Sequence, residues 1–403
     1  MMLGYLLARA GVEVVVLEKH ADFLRDFRGD TIHPSTLEVM HELGLLDEFL
    51  KLPHQRVSKL VGRIGNTRVT PADFSRLPVH CQFIAFMPQW NFLDFLARRG
   101  RRFPGFRLLM RTEATSLIEE SGRVTGLRAS SRSNAGESAI ELGCDLVVGA
   151  DGRHSTVRNQ AGLVVEDVGA PMDVLWFSLP RQPSDVEDTG GRFDPGIILV
   201  TINRGDNWQC GMVIAKGSIE VVHRAGLDAF RAKIGQLVPF LADRLQAIRS
   251  FDDVKLLTVG VDRLKVWHRE GLICIGDAAH TMSPVGGVGI NLAIQDAVAA
   301  ANLLTAPLKA RHVTSVDLAS VQKRREWPAR ATQRAQVFIQ NRVIARVLGA
   351  DALEARASSS SRNAIRPPLL LRIVNRVPSL QRIGGRLIGM GVRPEHVQIA
   401  SSE

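Results

Sequence analysis

Two short, almost wholly apolar segments constrain the fold of this chain most strongly. They are CDLVVGADG (144–152) and GLICIGDAAH (271–280), and in each the apolar run is followed by a glycine and an aspartate. Strands that are apolar on both faces belong to parallel sheets that are covered by helices. Such sheets bind ligands at the carboxyl ends of their strands, where Asp151 and Asp277 stand. The sequence therefore predicts an α/β protein with a binding site at that edge of the sheet.

The first residues fit the same kind of unit. Residues 3–10 predict a helix that ends at Gly11, and residues 12–17 predict a strand that is closed by Glu18. A helix followed by such a strand is the second half of a βαβ nucleotide-binding unit, in which the acid accepts a ribose hydroxyl. The first strand and its glycine turn would precede Met1. We expect an N-terminally truncated Rossmann-like domain that arises from a misassigned start codon, with a functional shorter protein as the alternative.

A loop and helix between residues 276 and 297 carry the densest pattern. The loop holds one proline and three glycines: Pro284, Gly286, Gly287 and Gly289. Glycines let the backbone lie flat against a ligand, and the following helix offers free N–H groups at its first turn, where Asn291 stands. A glycine loop that only joins strand to helix is the alternative, and the coincidence of these four features argues against it. Elsewhere, Ser155 or Thr156 is expected to cap a helix, and Ser35 with Glu38 predicts a capping box.

The segment 169–262 differs from the rest because its strands alternate in polarity, which predicts a mainly antiparallel sheet inserted into the dinucleotide domain. Trp208, Cys210 and Met212 share one face of a strand, and apolar residues at this spacing more often form core than pocket. Their aromatic and sulfur side chains still suit a flat apolar ring, so they are also candidates for the wall of a substrate pocket. Several basic side chains could contact a charged substrate, and the sequence does not choose among Arg181, Arg192, Arg204 and His223.

The expected organisation is interleaved, with an α/β Rossmann-like dinucleotide-binding domain, an α+β insert and a helical C-terminus. We divide the chain into dinucleotide segments 1–70, 89–168 and 263–320, substrate segments 71–88 and 169–262, and a basic helical region 321–403.

Composition narrows the partners. Residues 1–319 hold 36 basic and 36 acidic residues, whereas residues 320–403 hold 15 basic and 5 acidic ones, so this region carries the whole net charge of +10. Its arginines are spaced along apolar helices without interleaved aromatics, which argues against nucleic acid. Four scattered cysteines without zinc spacing suit a reducing cytoplasm, and no apolar run reaches the length of about 18 residues that a membrane span needs.

Residues 362–393 hold seven arginines and no acid. They predict two short amphipathic helices broken at Pro378 and at Gly384-Gly385. We expect these helices to pack on the dinucleotide domain or to form a homodimer with a second subunit. A weak contact with an anionic membrane surface is the alternative.

The chain resembles the para-hydroxybenzoate hydroxylase type of FAD-dependent aromatic monooxygenases. The resemblance is carried by VVVLEKH, FRGDTIHPSTLEVMHELGL, CDLVVGADGRHSTVR and GLICIGDAAHTMSPVGGVGINLAIQDA, in the family's order over residues 1 to about 305. It implies cofactor-binding roles for Glu18 and Arg28 at the ribose, and for Gln89 on the ribityl side. It also implies roles for Gly276 and Asp277 at the ribityl or pyrophosphate region, and for Asp151 in a motif that serves FAD and the nicotinamide cofactor. The residues implied at the isoalloxazine ring are Pro284, Gly287, Gly289, Ile290 and Asn291.

The resemblance further implies an enzyme that uses FAD, NADH or NADPH, and O2 to hydroxylate an aromatic or polyketide-like small molecule through a flavin hydroperoxide. We assign no catalytic residue, since the flavin supplies the reactive chemistry, and the sequence contains no metal-ligand cluster. His280 is expected to be structural. Since Tyr5 is the sole tyrosine and lies in the first helix, activation of a phenol by tyrosine is not expected. The alternatives are a flavin-dependent reductase or dehydrogenase on the same fold, or an inactive remnant that does not retain FAD.

Overall fold

The computed structural model describes residues 1–24, 31–133, 136–185, 189–348 and 367–401. Arg28, which the resemblance assigns to the ribose, lies outside the described residues. The α-helices are Met2–Arg9, Pro34–Glu42, Leu46–Phe49, Gln89–Gly100, Thr156–Gln160, Ile219–Ala225, Leu227–Leu237, Gly289–Lys309, Ser315–Ile339, Ala345–Leu348, Leu369–Arg376 and Pro378–Gly389.

Short parallel strand pairs form the dinucleotide part. Val14–Glu18 runs parallel to Phe106–Met110, and Val147–Gly149 runs parallel to Leu272–Cys274. The first helix lies close against the first of these strands, because a Cβ at Gly4 would come within 2.6 Å of Val16. The apolar core of this part joins that helix to Gly289–Lys309. The predicted helix, strand and buried strand ends are confirmed.

Three smaller sheets flank this core. An antiparallel sheet is formed by Thr112–Glu120, Arg123–Ser133 and Gly136–Gly143. A second is formed by Thr31–Ile32, Gln55–Val57 and Ile84–Phe86. A third is formed by Val165–Asp167, Asp262–Leu264 and His280–Thr281. The short strand His268–Arg269 pairs antiparallel with Leu272–Cys274.

A seven-stranded sheet forms the other half of the molecule. Its strands lie in the order Lys255–Leu257, Met172–Pro180, Asn207–Ala215, Ile197–Asn203, Gly190–Asp194, Lys59–Ile64 and Thr67–Asp73. All neighbouring pairs are antiparallel except Gly190–Asp194 with Lys59–Ile64. Leu227–Leu237 and the 3₁₀ segment Pro239–Ala247 cover one face with an apolar core. The predicted mainly antiparallel insert is thus confirmed.

One expected boundary needs correction. Residues 59–70 were assigned to the first dinucleotide segment, yet Lys59–Ile64 and Thr67–Asp73 are strands of the seven-stranded sheet. The weak alternation of polarity in residues 59–70 does not reveal the strand that pairs with Lys59–Ile64, because that strand, Gly190–Asp194, lies about 130 residues further along the chain. The remaining boundaries stay predictions.

The segment Val285–Lys309 is long and apolar enough by composition to cross a membrane, and 61% of its most apolar window is buried inside the fold. Ala297, Val298, Ala300 and Ala301 on this helix belong to the main core. This burial is typical of the central helix of a globular core, and the segment gives only weak evidence of a membrane span.

The C-terminal helices Leu369–Arg376 and Pro378–Gly389 pack on the chain's own edge strand Thr67–Asp73. The predicted break at Pro378 is confirmed, and the predicted break at Gly384-Gly385 is wrong. Both glycines lie inside the second helix, where a Cβ would come within 2.3 Å of the Pro71 carbonyl oxygen or 2.1 Å of the Asp73 one. These glycines therefore allow a helix to approach the backbone of an edge strand, which covers that edge.

Candidate active site

A cavity of about 2600 Å³ lies between the dinucleotide part and the seven-stranded sheet. On one side it is lined by the strand-end residues Glu18, Asp151 and Asp277. On the other it is lined by the sheet, with Trp176 and Gly211 in the wall. The structure therefore brings together residues that are far apart in sequence, at the edge where parallel strands bind ligands.

The N-terminal end of the first helix faces this cavity through Met1, Met2 and Gly4. The first intrahelical bond of the described chain runs from the Tyr5 N–H to the Met1 carbonyl, 3.0 Å away. N–H groups of the first turn have no acceptor within a helix and attract anions. Glu18 follows at the end of the next strand, and its carboxylate accepts the His20 N–H at 2.9 Å.

Asp151 organises the turn after the buried strand Val147–Gly149. Its carboxylate accepts the Val157 N–H at 3.2 Å and the Ser155 hydroxyl, while the Ser155 hydroxyl oxygen accepts the Arg158 N–H at 2.9 Å. Ser155, one of the two predicted caps, is the observed N-cap of Thr156–Gln160. These bonds fix the cavity wall at Asp151, because its carboxylate is hydrogen-bonded within its own turn.

The turn at Gly276 and Asp277 is held from behind. Gly276 has a φ of +59°, which favours glycine, and its N–H donates to the Asp296 carboxylate at 3.1 Å. The Asp296 side chain is wholly buried on the long helix Gly289–Lys309. Asp277 lines the cavity, and the turn that positions it is anchored by the buried carboxylate of Asp296.

Asp296 is the centre of a buried ionic cluster. Its oxygens contact His280 Nε2 at 2.6 Å and Arg325 Nε at 2.9 Å, and Arg325 reaches Glu395 at 3.1 Å. Burial alone would raise the pKa of the Asp296 carboxyl, but His280 and Arg325 outweigh burial and lower it. Buried charges of this kind persist only when they are paired and hydrogen-bonded. His280 is therefore a structural side chain, as expected.

The loop from Pro284 to Gly289 contributes Pro284, Val285, Gly286, Gly287 and Gly289 to the cavity wall. Gly287 has a φ of +62°, and a Cβ there would come within 2.5 Å of the Thr31 hydroxyl oxygen. That hydroxyl donates to the Gly287 carbonyl at 2.7 Å. The contact pins the loop to the strand Thr31–Ile32 and leaves no room for a side chain at this point.

Glutamines on Ser315–Ile339 fix the other end of the loop. Gln336 donates to the carbonyls of Ser283 and Val285, both at 2.8 Å, and accepts the Ser283 N–H at 3.1 Å. Gln333 donates to the Thr281 carbonyl at 3.1 Å. Sequence reasoning missed these residues because they lie about 50 residues beyond the loop, and no local signal marks a glutamine as a loop anchor.

Asn291 does not line the cavity, and its expected place at the isoalloxazine ring is corrected. Its side chain is buried, where it accepts the His33 N–H and the Thr36 hydroxyl at 2.8 Å each and donates to the Thr31 carbonyl at 2.9 Å. It therefore joins the long helix to the start of Pro34–Glu42. The first turn of a helix has several faces, and sequence does not reveal which one meets the ligand.

Trp208, Cys210 and Met212 do not line the cavity either. They are buried in the apolar core between the sheet and Leu227–Leu237. Successive strand residues point to opposite faces, so the alternate residues Gln209, Gly211 and Val213 line the cavity instead. The prediction of a shared face is right, but its assignment to the substrate pocket is wrong and core packing is the outcome.

The cavity-facing side of the sheet carries one indole. Trp176 pairs in register with Gly211, and a Cβ at Gly211 would come within 3.0 Å of the indole ring. Gly211 therefore makes room for the ring to lie against the sheet, with Phe193 on a nearby strand in the same wall. Tyr5, by contrast, is buried in the first helix beside Phe103, with ring centroids 5.6 Å apart.

Of the four basic side chains that sequence left open, none belongs to the cavity lining that the structure describes. Arg181 lies over Trp208 and Arg192 over Phe240, and Arg204 donates to Gln209 at 2.7 Å. Arg204 therefore contacts the cavity wall indirectly, through Gln209.

Comparison with known proteins agrees with this geometry. The family described as "FAD binding domain" matches residues 1–335. A 6-methylpretetramide 4-monooxygenase of Streptomyces rimosus is 33% identical over 339 residues, which cover 83% of this chain and 80% of that protein. A dialkyldecalin synthase of Streptomyces rugosporus is 27% identical over 307 residues, 74% of this chain and 61% of that protein. Among solved structures, the anhydrotetracycline hydroxylase OxyS from Streptomyces rimosus is similar with a TM-score of 0.72 at 21% identity, covering 97% of this chain and 74% of that chain, which shows a shared fold.

The family match and the monooxygenase relative define the class of the protein as a flavoprotein oxidoreductase. In its fold, strand ends of the dinucleotide type face the seven-stranded sheet across one cavity. The chain belongs to the FAD-binding family of aromatic monooxygenases.

The described residues fit FAD. A helix N-terminus faces the cavity, and the Glu18 and Asp277 carboxylates stand at or just beyond the ends of strands in two separate parallel pairs. Thr31 occupies the space that a side chain at Gly287 would need. Gln89, Gly276, Pro284, Gly289 and Ile290 line the same cavity. The donor set is one of N–H groups for phosphate and carboxylates for sugar hydroxyls.

Proposed function

We propose that this protein hydroxylates a planar aromatic or polyketide-like small molecule, with NADH or NADPH as the reductant and O2 as the oxidant. The observation that carries the proposal is the wall formed by Trp176 against Gly211, in the same cavity as the cofactor edge. A flat apolar wall suits a fused ring system. The similarity to a 6-methylpretetramide 4-monooxygenase supports the same substrate class.

The proposed reaction consumes one substrate C–H bond, O2, NAD(P)H and a proton, and it yields the hydroxylated product, NAD(P)⁺ and water. Bound FAD supplies the redox chemistry that links the nicotinamide to O2. In this proposal Glu18 binds the adenosine ribose and Asp277 the ribityl or pyrophosphate region. The Met1–Gly4 turn presents N–H groups to the pyrophosphate, and the Pro284–Ile290 loop lies along the isoalloxazine ring.

The apolar side chains of the sheet exclude water and orient the substrate. Val174, Ile198, Val200 and Val213 line the cavity around Trp176. Exclusion of water strengthens every electrostatic interaction in the site and protects reactive species from side reactions. We also propose a reducing, cytoplasmic location, which the free state of all four cysteines supports.

Trp176→Ala tests where the substrate binds. The probes are planar hydroxylated polycyclic compounds such as naphthols and hydroxyanthraquinones, and the readout is their stimulation of NADH and NADPH oxidation by the FAD-loaded protein. Because the variant removes the flat wall, we expect KM for a stimulating compound to rise by about tenfold. Oxidation without substrate is expected to stay unchanged.

Trp327→Ala is the matched control, since Trp327 is an exposed indole on Ser315–Ile339 outside this cavity. It should leave KM as in the parent. An unchanged KM in Trp176→Ala would place the substrate elsewhere, and a protein that no such compound stimulates would contradict the proposed substrate class.

A further inference from the structure

The two C-terminal helices leave part of their surface open to solvent. Five apolar side chains there are between 37% and 70% exposed: Leu369, Ile373, Val377, Ile383 and Leu387. Leu369 and Ile373 in the first helix, and Ile383 and Leu387 in the second, stand four residues apart and so form a row on one face of each helix, while Val377 lies at the break between the helices. Contiguous exposed apolar surface of this kind marks an interaction site.

A row of cations runs beside the apolar row. Arg372, Arg376, Arg382 and Arg386 are all exposed, and each of the four precedes one of the apolar residues in sequence. We call the two rows together the basic apolar face. The sequence from residue 367 to residue 393 contains no aspartate or glutamate.

The basic apolar face is not the side by which these helices hold to the protein. Asn375 accepts the Thr70 N–H at 3.1 Å and donates to the Arg68 carbonyl at 3.0 Å. Gly384 and Gly385 contact the backbone of the same edge strand. The helices are thus anchored to the seven-stranded sheet, and the face points away from that anchor.

We propose that the basic apolar face binds the surface of an anionic lipid bilayer. Arginine guanidinium groups contact lipid phosphates, while the neighbouring leucine, isoleucine and valine side chains enter the boundary of the acyl chains. A second copy of this chain, docked face to face, would bring eight arginines together without a compensating acid in the helices. Nucleic acid would leave the apolar row in water.

The position of the face gives the contact a purpose. Leu371 and Ile388 belong to the same two helices, Pro368 directly precedes the first of them, and all three line the cavity. Binding to a bilayer would hold this wall of the cavity at the surface in which apolar aromatic molecules concentrate. The inference does not depend on the reaction, because it concerns only where the protein resides.

Co-sedimentation with vesicles tests the proposal, using the FAD-loaded full chain. We expect binding to phosphatidylcholine vesicles that contain phosphatidylglycerol, little binding to phosphatidylcholine alone, and weaker binding in high salt. Combined replacement of Arg372, Arg376, Arg382 and Arg386 by glutamine should weaken vesicle binding by at least about tenfold. Leu369→Ser with Ile373→Ser should weaken it at unchanged net charge.

The control replaces four exposed arginines outside the face by glutamine: Arg98, Arg101, Arg102 and Arg224. It changes the net charge equally and should retain binding. Circular dichroism and the melting temperature identify any variant that fails to fold, and the two-residue serine variant then decides. Absence of binding to anionic vesicles, equal loss in the control, or a dimer in solution that the face variants abolish would each overturn the proposal.

Discussion

At the scale of single residues, Gly287 shows how little freedom the cofactor loop has. Alanine there adds a side chain to a backbone with a φ of +62° and brings its Cβ within 2.5 Å of the Thr31 hydroxyl. We expect Gly287→Ala to lower the free energy of unfolding by about 1–3 kcal/mol. Denaturant titration of the FAD-free protein measures this change.

Gly289→Ala is the comparison within the same loop. The φ of Gly289 is not positive, and the nearest atom to an added Cβ, in Met282, is 3.8 Å away. Its free energy of unfolding should stay within about 0.5 kcal/mol of the parent. Equal stability of the two variants would show that the loop is not held as described.

Residue-scale predictions from sequence succeeded where the chemistry is local. Asp151 and Asp277 follow directly from an apolar strand that ends in a turn, and the structure places both in the cavity wall. The capping box at Ser35 and Glu38 is wrong, because the helix begins at Pro34 with His33 as its N-cap and Glu38 binds His80 at 2.9 Å. Proline at the first helical position is the stronger start signal there.

At the scale of elements, Arg325 joins Ser315–Ile339 to the long helix and to the C-terminal tail. Arg325→Met leaves the buried carboxylates of Asp296 and Glu395 without this cation. We expect the free energy of unfolding to fall by about 3–5 kcal/mol. Chemical denaturation measures the loss.

Arg324→Met is the control on the same helix. Arg324 also pairs with Glu395, at 2.8 Å, but its side chain is 35% exposed. The free energy of unfolding should fall by less than about 1 kcal/mol, since Arg324 is partly exposed and Glu395 keeps its bond to Arg325. Similar losses in both variants would contradict the role of the buried cluster.

Asp185 makes the stability of the seven-stranded sheet depend on pH. Burial alone would raise the pKa of its carboxyl, but Arg244, the Gln182 N–H and the Trp208 indole outweigh burial and lower the pKa to about 2. The ordinary value is 3.8, so the carboxylate stabilises the fold above about pH 4 and this contribution is lost as pH falls toward about 2.

Unfolding followed between pH 2 and pH 6 tests this linkage. Asp185→Asn should lower the free energy of unfolding above about pH 4, and its difference from the parent should shrink toward about pH 2. Asp228→Asn, which alters a carboxylate with a 94% exposed side chain, should follow the parent throughout. A constant difference across the range would rule out the lowered pKa.

Element-scale predictions failed where partners are distant in the chain. The alternating strand 207–215 was recognised, but which of its two faces meets the cavity depends on the helices that cover the other face. The helical C-terminus was likewise expected, while the role of Gly384 and Gly385 depends on the strand Thr67–Asp73, more than 300 residues earlier. Local periodicity contains no information on such contacts.

At the scale of the whole molecule, the parallel strand pairs of the dinucleotide part and the mainly antiparallel seven-stranded sheet line one cavity. The parallel strand ends supply Glu18 and Asp277, and the antiparallel sheet supplies Trp176. The chain crosses between these halves several times, so neither half is continuous in sequence. We propose that FAD and a planar substrate meet in this cavity and that one oxygen atom passes from O2 to the substrate.

Isotope labelling tests that claim most directly. The FAD-loaded protein is supplied with NADH or NADPH and a stimulating polycyclic phenol under ¹⁸O2, and the product is analysed by mass spectrometry. We expect a hydroxylated product that is two mass units heavier than the product formed under ordinary O2. Nicotinamide oxidation that yields only hydrogen peroxide, or a product without the label, would contradict it.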